Sequence, residues 1–278
     1  MDTVEITLSV PALEHDRFIG WLDDRATGFQ QTDAELTAYV PADDWSEVLR
    51  ERLETRLAAD GYGNALSLRL VADRNWNAAW EASVTPVRAG PFLLCRSGVE
   101  VPDEHADATV LRIDPQQSFG TGHHASTRLT LRLLVDALTP GDTVVDVGVG
   151  TGVLAIAACH LGAERVLGVD TAANAVRNAR ANVEQNGVAD RVTVREGSVE
   201  AVPADAEADV IAANITLDTI LDLLPALRER LAPDGDLLLA GLLTSQRDRT
   251  LEGISAHGLT AAQEESEDGW WAVRCRPA

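Results

Sequence analysis

Residues 143–170 read TVVDVGVGTGVLAIAACHLGAERVLGVD. Val144 and Val145 carry a β-branched run into Asp146, as a buried strand requires. Gly148, Gly150 and Gly152 follow, and then an apolar stretch of helical length. A second apolar run, Arg165 to Val169, stops at Asp170. Strand, glycine turn, helix and strand in that order make a nucleoside-binding unit. Asp170 lies 22 residues after Gly148, where a carboxylate meets ribose hydroxyls. A tight turn in any α/β protein needs similar glycines, but here they sit in the context the binding motif demands.

The glycine spacing separates two kinds of cofactor. A nicotinamide or flavin fingerprint is Gly-x-Gly-x-x-Gly, and it offers bare amides at a helix N-terminus to a pyrophosphate. This chain has Gly-x-Gly-x-Gly, with Val153 where the third glycine of the dinucleotide motif would stand. S-adenosylmethionine has no phosphate. Its amino-acid tail needs close approach to backbone, which glycine permits because it lacks Cβ. The spacing therefore favours S-adenosylmethionine, with Gly148, Gly150, Gly152 and Asp170 as its contacts. A nicotinamide-dependent oxidoreductase is the rival of another class.

Outward from this unit, strands and helices alternate. Strands are expected at Phe92–Cys95, Thr109–Ile113, Val192–Arg195, Asp209–Asn214, Asp236–Leu242 and near Trp270–Arg274. Helices are expected at Leu129–Leu138, Val153–Leu161, Ala173–Asn186, Leu217–Leu231 and Gln246–His257. That alternation predicts a doubly wound, mostly parallel sheet over residues 91–278. Residues 1–72 read as a separate α+β domain. Val4–Val10 alternates as a strand, and Pro11–Arg25 has helical spacing. Gly28–Thr32 and Glu35–Val40 are short strands. A helix capped by Asp43 or Asp44 carries Leu53 and Leu57 and ends at Gly61, and Leu66–Val71 alternates again. The order β-α-β-β-α-β is ferredoxin-like, and the domain's expected work is recognition. Residues 73–90, with Trp76 and Trp80, read as a linker.

The 278 residues are 45% hydrophobic, enough to bury a core. No apolar run reaches membrane-spanning length and no basic-then-apolar leader opens the chain, so a cytoplasmic protein is expected. Cys95, Cys159 and Cys275 are far apart and odd in number. They fit a reduced compartment and no zinc cluster, and no metal is expected. There are 44 acids against 23 bases, a net charge of −21, and every base is Arg. Residues 1–72 hold 14 acids and 6 Arg, so the acid is spread over the whole chain. Such a field repels nucleic acid and attracts a basic protein. It also suits a salty cytoplasm, where self-repulsion is screened.

Phe119-Gly-Thr-Gly-His-His-Ala-Ser-Thr127, the glycine triplet and Asn214-Ile-Thr occur together in this order. So do Asn75-Trp-Asn-Ala-Ala-Trp80 and Val101-Pro-Asp-Glu. In these the chain resembles the bacterial PrmA family of ribosomal protein methyltransferases, over nearly its whole length. The resemblance implies a class I S-adenosylmethionine-dependent methyltransferase domain behind a ferredoxin-like substrate-recognition domain. It implies transfer of methyl groups to lysine and N-terminal amines of a large-subunit ribosomal protein, free or on the subunit. A monomer is expected. Thr127, Gly148, Asp170 and Asn214 match the family's cofactor-contacting positions. His123-His-Ala-Ser stands where the family often has Thr-His-Pro-Thr, and Asn214-Ile-Thr where it often has Asn-Ile-Leu.

Methyl transfer to an amine needs little more than alignment and a dry site. It does need a neutral amine, whose hydrogens the Asn214 side-chain oxygen can accept, so Asn214 is the expected catalytic residue. Enzymes of this fold that methylate bases or amides resemble Asn-Pro-Pro-aromatic at this point. This chain has Asn214-Ile-Thr-Leu, which suits a flexible amine. A methyltransferase acting on RNA or on a small molecule is the nearer rival. The acidic charge opposes the first, with no direct nucleic-acid readout expected, and the separate front domain opposes the second. Gly120 and Gly122 are expected to let their loop close as a lid. His123 or His124 is a candidate proton acceptor. Asp146 is expected to order the turn or meet the cofactor's ammonium.

Overall fold

A computed structural model describes residues 2–22, 25–32, 34–71, 85–116 and 118–278. The chain divides into two compact units, residues 1–79 and 80–278. The expected linker's two tryptophans lie outside the described residues. Its described end carries a strand, β5 (Val87–Ala89).

In the first unit, β1 (Thr3–Leu8), α1 (His15–Leu22), β2 (Gly28–Gln31), β3 (Leu36–Pro41), α2 (Glu47–Ala59) and β4 (Leu66–Val71) follow in order. The strands form an antiparallel sheet, β2-β3-β1-β4. Ile6, Leu8, Leu36, Ala38 and Val40 alternate onto one face and pack on Phe18, Leu22, Leu53 and Leu57. Two local expectations are corrected. Leu13 sits in a 3-10 turn and is 97% exposed, because α1 begins only at His15. The N-cap of α2 is Ser46, whose hydroxyl accepts from the Leu49 N–H at 3.3 Å. Asp43 and Asp44 belong to the turn before it.

The second unit carries a seven-stranded sheet in the order β10-β9-β8-β11-β12-β14-β13. Its strands are β8 (Thr143–Val147), β9 (Arg165–Asp170), β10 (Val192–Glu196), β11 (Ala208–Asn214), β12 (Leu231–Leu243), β13 (Leu259–Glu267) and β14 (Trp270–Pro277). The first five in that order run parallel, and β14 and β13 close the edge antiparallel. The helices are α3 (Ala125–Ala137), α4 (Val153–Leu161), α5 (Ala173–Gln185), α6 (Leu217–Arg230) and α7 (Arg247–Ala256). This is the doubly wound, mostly parallel sheet that the alternation of strands and helices predicts. From β8 the chain adds β9 and β10 on one side and then returns to add β11 and β12 on the other, so the strand order reverses between β8 and β11 and makes their carboxyl ends a topological switch point. β13 is absent from the sequence reading. Its run Gln263-Glu-Glu-Ser-Glu267 is acidic and lies on the sheet edge, so no apolar alternation marks it.

A small sheet, β5-β6-β7, with β6 (Phe92–Cys95) and β7 (Thr109–Arg112), precedes this domain. Asparagines one turn apart on α5 tie it down. Asn186 Oδ1 accepts from the Arg112 N–H at 2.8 Å, and Asn182 Oδ1 accepts from the Asp114 N–H at 3.1 Å. Asn182 Nδ2 also donates to the Thr151 carbonyl at 2.8 Å. One helix face thus binds both the glycine turn and the chain leading to Phe119.

Candidate active site

The glycine turn follows β8 at the switch point, and its amides are all engaged. Gly148 and Val149 donate to the Val169 carbonyl at 2.9 and 3.0 Å, Thr151 to the Phe119 carbonyl at 3.0 Å, and Gly152 to the Val149 carbonyl at 2.7 Å. Gly150 donates to Asp170 Oδ2 at 3.0 Å. A pyrophosphate needs free amides at such a turn, and residues 148–152 offer none. Gly150 has φ +52°, and a Cβ there would stand 2.5 Å from the Phe119 carbonyl oxygen. Glycine is needed at this point because another strand of backbone lies against it.

Asp170 ends β9 with each carboxylate oxygen holding one backbone amide, Gly150 on one side and Ala172 at 2.9 Å on the other. A carboxylate oxygen accepts about two bonds, so each keeps capacity for a hydroxyl. Asp170, Gly148, Gly150 and Asn214 line one cavity of about 450 Å³. Gly197 and Ser198 after β10, and Thr216 and Thr219 at the start of α6, line it too. The sequence reading missed these four; a Gly-Ser pair at the carboxyl end of a parallel strand was the available signal. Two expected cofactor residues line neither this cavity nor the next. Gly152 caps α4 and faces Ala179 of α5. Thr127 is buried in α3, its hydroxyl without a partner.

Asp146 lies beneath the turn and is 1% exposed. Burial pushes its carboxyl up to about 7. The Ala155 N–H opposes that rise and the Asp170 charge adds to it. It lines neither cavity, so it supports the turn from below.

Asn214 ends β11, and its Oδ1 is buried with no hydrogen-bond partner. It also lines a second cavity, of about 250 Å³, walled by Phe119, His124, Ser126, Gly241 and Trp270. Phe119, Ile215 and Thr216 are shared by both cavities. The pairing of β12 with β14 slips between Leu239 and Leu242. There Gly241, at φ +81°, lets the backbone pass under Ile215, whose carbonyl oxygen a Cβ would meet at 2.4 Å. This bulge beside the site seats Asn214.

Phe119, 52% exposed, is not core. Its loop is docked as well as glycine-rich: Thr151 Oγ1 donates to the Gly120 carbonyl at 2.9 Å. His124 caps α3, and its Nδ1 accepts from the Ser126 N–H at 3.3 Å. Burial, and then Arg128, hold its pKa below the usual histidine value. Nδ1 also lies 2.7 Å from the Ser126 hydroxyl, so this side of the ring is engaged by Ser126.

The whole arrangement suits a phosphate-free nucleoside donor in the first cavity and an amine in the second. Comparison with known proteins shows the family. Residues 3–277 match the family model described as Ribosomal protein L11 methyltransferase (PrmA). A relative named ribosomal protein L11 methyltransferase from Pelotomaculum thermopropionicum is 38% identical over 87% of this chain and 79% of its own. One of the same name from Chlorobaculum parvum is 36% identical over 90% of this chain and 87% of its own. The crystal structure of the ribosomal protein L11 methylase from Lactobacillus delbrueckii subsp. bulgaricus superposes with a TM-score of 0.65. It is 26% identical and covers 70% of this chain and all of that one.

Proposed function

Because this chain belongs to the ribosomal protein L11 methyltransferase (PrmA) family, we propose that it methylates lysine and N-terminal amines of ribosomal protein L11. It is an S-adenosylmethionine-dependent methyltransferase, and L11 is the protein for which its relatives are named. The carrying observation is the buried, unpartnered Asn214 Oδ1 where two cavities meet.

S-adenosylmethionine supplies a methyl on a cationic sulfur, open to in-line displacement. In this reading Asp170 holds the ribose hydroxyls through its remaining lone pairs. Gly148 and Gly150 present bare backbone to the amino-acid tail. Asn214 faces the methyl end. The acceptor amine enters through the second cavity, between Phe119 and Trp270. A lysine has a pKa near 10.4, so its neutral form costs about 4.6 kcal/mol at pH 7. A dry, apolar cavity reduces that cost, because it disfavours the ammonium. Asn214 Oδ1 then accepts a hydrogen of the neutral amine and orients its lone pair. His124, kept neutral, adds no charge that would repel the incoming ammonium.

The N-terminal domain is the proposed substrate grip. Glu35 and Tyr39 line a hollow on its polar sheet face, and acids outnumber Arg throughout the chain. Both features suit a basic partner. The same charge disfavours direct readout of ribosomal RNA. We place the enzyme in the cytoplasm as a monomer, acting on L11 free or on the large subunit. The test is incubation with labelled S-adenosylmethionine and total ribosomal protein, followed by mass mapping. Label in L11 amines is the expected outcome; label confined to other ribosomal proteins, or no label in protein at all, overturns the reading.

A further inference from the structure

The two walls of the acceptor cavity come from distant parts of the chain. One is the loop that carries Phe119 and His124. The other is the β13–β14 turn, which carries Trp270. The His124 ring sits edge-on to both, with centroids 5.0 Å from Phe119 and 4.2 Å from Trp270. Trp270 opens β14 and is held opposite Leu243 of β12, while the loop is held on Thr151, so the two walls are anchored separately and their spacing depends on what ties one to the other.

One side chain on the first turn of α3 reaches both walls. Arg128 Nη1 donates to the carbonyls of Gly122 at 3.0 Å and His123 at 2.6 Å. Its Nε donates to Glu267 Oε1 at 2.7 Å, and its Nη2 pairs with the same carboxylate and lies 3.6 Å from Asp268. Arg132, one turn further, takes the other oxygen of Glu267. Arg128 is 17% exposed and Glu267 25%. Partial burial makes such a pair stronger than a surface one. The geometry also demands arginine: two carbonyls on one side and a carboxylate on the other match a planar fork of donors, which an ammonium cannot present.

This inference rests on the methyl-transfer reading above. We infer that Arg128 and Glu267 are positioning residues for the acceptor amine, clamping the 119–124 loop to the β13–β14 hairpin and so fixing the cavity between Phe119, His124 and Trp270. Neither residue lines either cavity, so they act through the walls. The clamp also keeps a guanidinium beside His124, which helps hold that ring neutral.

The test uses the full chain and purified L11. Arg128→Gln and Glu267→Gln break the clamp from opposite sides. Arg247→Gln is the control: it breaks an ion pair to Glu264 of the same hairpin, at 2.6 Å, that touches neither the loop nor the cavity. Each clamp variant is expected to raise KM for L11 by about tenfold, with S-adenosylmethionine affinity by calorimetry within about twofold of wild type. The double variant is expected to be no worse than the worse single one, since the pair acts as a unit. The control is expected to leave KM unchanged. Unchanged KM in both clamp variants overturns the proposal. So does an equal rise in Arg247→Gln, which would mean that the hairpin is merely loosened. A fall in cofactor affinity parallel to the rise in KM also overturns it. Wild-type protein that binds the cofactor yet leaves L11 unlabelled overturns the underlying reading instead, before any variant is needed.

Discussion

Asn214 and Asp146 are both polar groups missing a partner, and they predict opposite things. Asn214 lines both cavities, and its buried oxygen lacks a hydrogen that a ligand can bring. Asn214→Ala is therefore expected to lower kcat about a hundredfold, by letting the amine lose its alignment. Cofactor affinity, measured by calorimetry, should change far less. Asp146 opens on nothing. Its carboxyl is held up at about 7 by burial, against about 3.9 in an unfolded chain. The native state thus keeps a proton that the unfolded state loses. The stability this confers is present below about pH 4 and is lost as pH rises towards 7. Asp146→Asn is a permanently neutral near-isostere. Its stability relative to wild type is expected to grow by about 4 kcal/mol between pH 4 and pH 8, the linkage value of a three-unit shift. Denaturant titrations of both proteins at several pH values measure that difference, and other carboxylates cancel between them.

At the scale of elements, the site depends on irregular backbone held by regular neighbours. β8 and β11 end at the switch point because a parallel sheet brings carboxyl ends together. What turns an ordinary switch point into two adjoining cavities is the slip in β12 at Gly241 and the docking of the Phe119 loop on Thr151. Gly241→Ala meets two penalties, a left-handed φ and a Cβ 2.4 Å from the Ile215 carbonyl oxygen. The variant is expected to be destabilised by about 2 kcal/mol or more. It should also lose activity beyond that, because Asn214 and Ile215 must shift. Thermal melts and kinetics on the folded fraction separate the two effects.

At the scale of the whole molecule the governing fact is charge, −21 with every base an arginine. The arginines are largely spent on specific ties. Arg274 and Arg276 converge on the buried Asp236 at 2.6 and 2.8 Å, Arg69 pairs with Glu5 across β1 and β4, and Arg128 holds Glu267. Many remaining acids face solvent and repel one another. At about 1 M salt the Debye length is about 3 Å, so that repulsion fades. The melting temperature is expected to rise between low and molar KCl. A flat or falling profile would show that the acidic surface does not limit stability.

The sequence by itself determined the parallel sheet, the glycine turn and the places of Asp170 and Asn214 at the ends of β9 and β11. These depend on local pattern, namely β-branched runs, glycine spacing and residues at strand ends, which short-range sterics enforce whatever the rest of the chain does. The docking motif from Phe119 to Thr127 was legible as a motif, but the work of its members was not. Thr127 turned inward, Gly152 served helix packing, and His124 capped α3 against Ser126. The tertiary structure alone brought Trp270 and Glu267 to the loop near Phe119. One strand of their hairpin, β13, is an acidic sheet edge with no apolar alternation, and the hairpin's place is set by pairing of β14 with β12 and by an arginine far away along the chain. Contacts between segments so distant arise only when the whole sheet closes, and no local pattern encodes them.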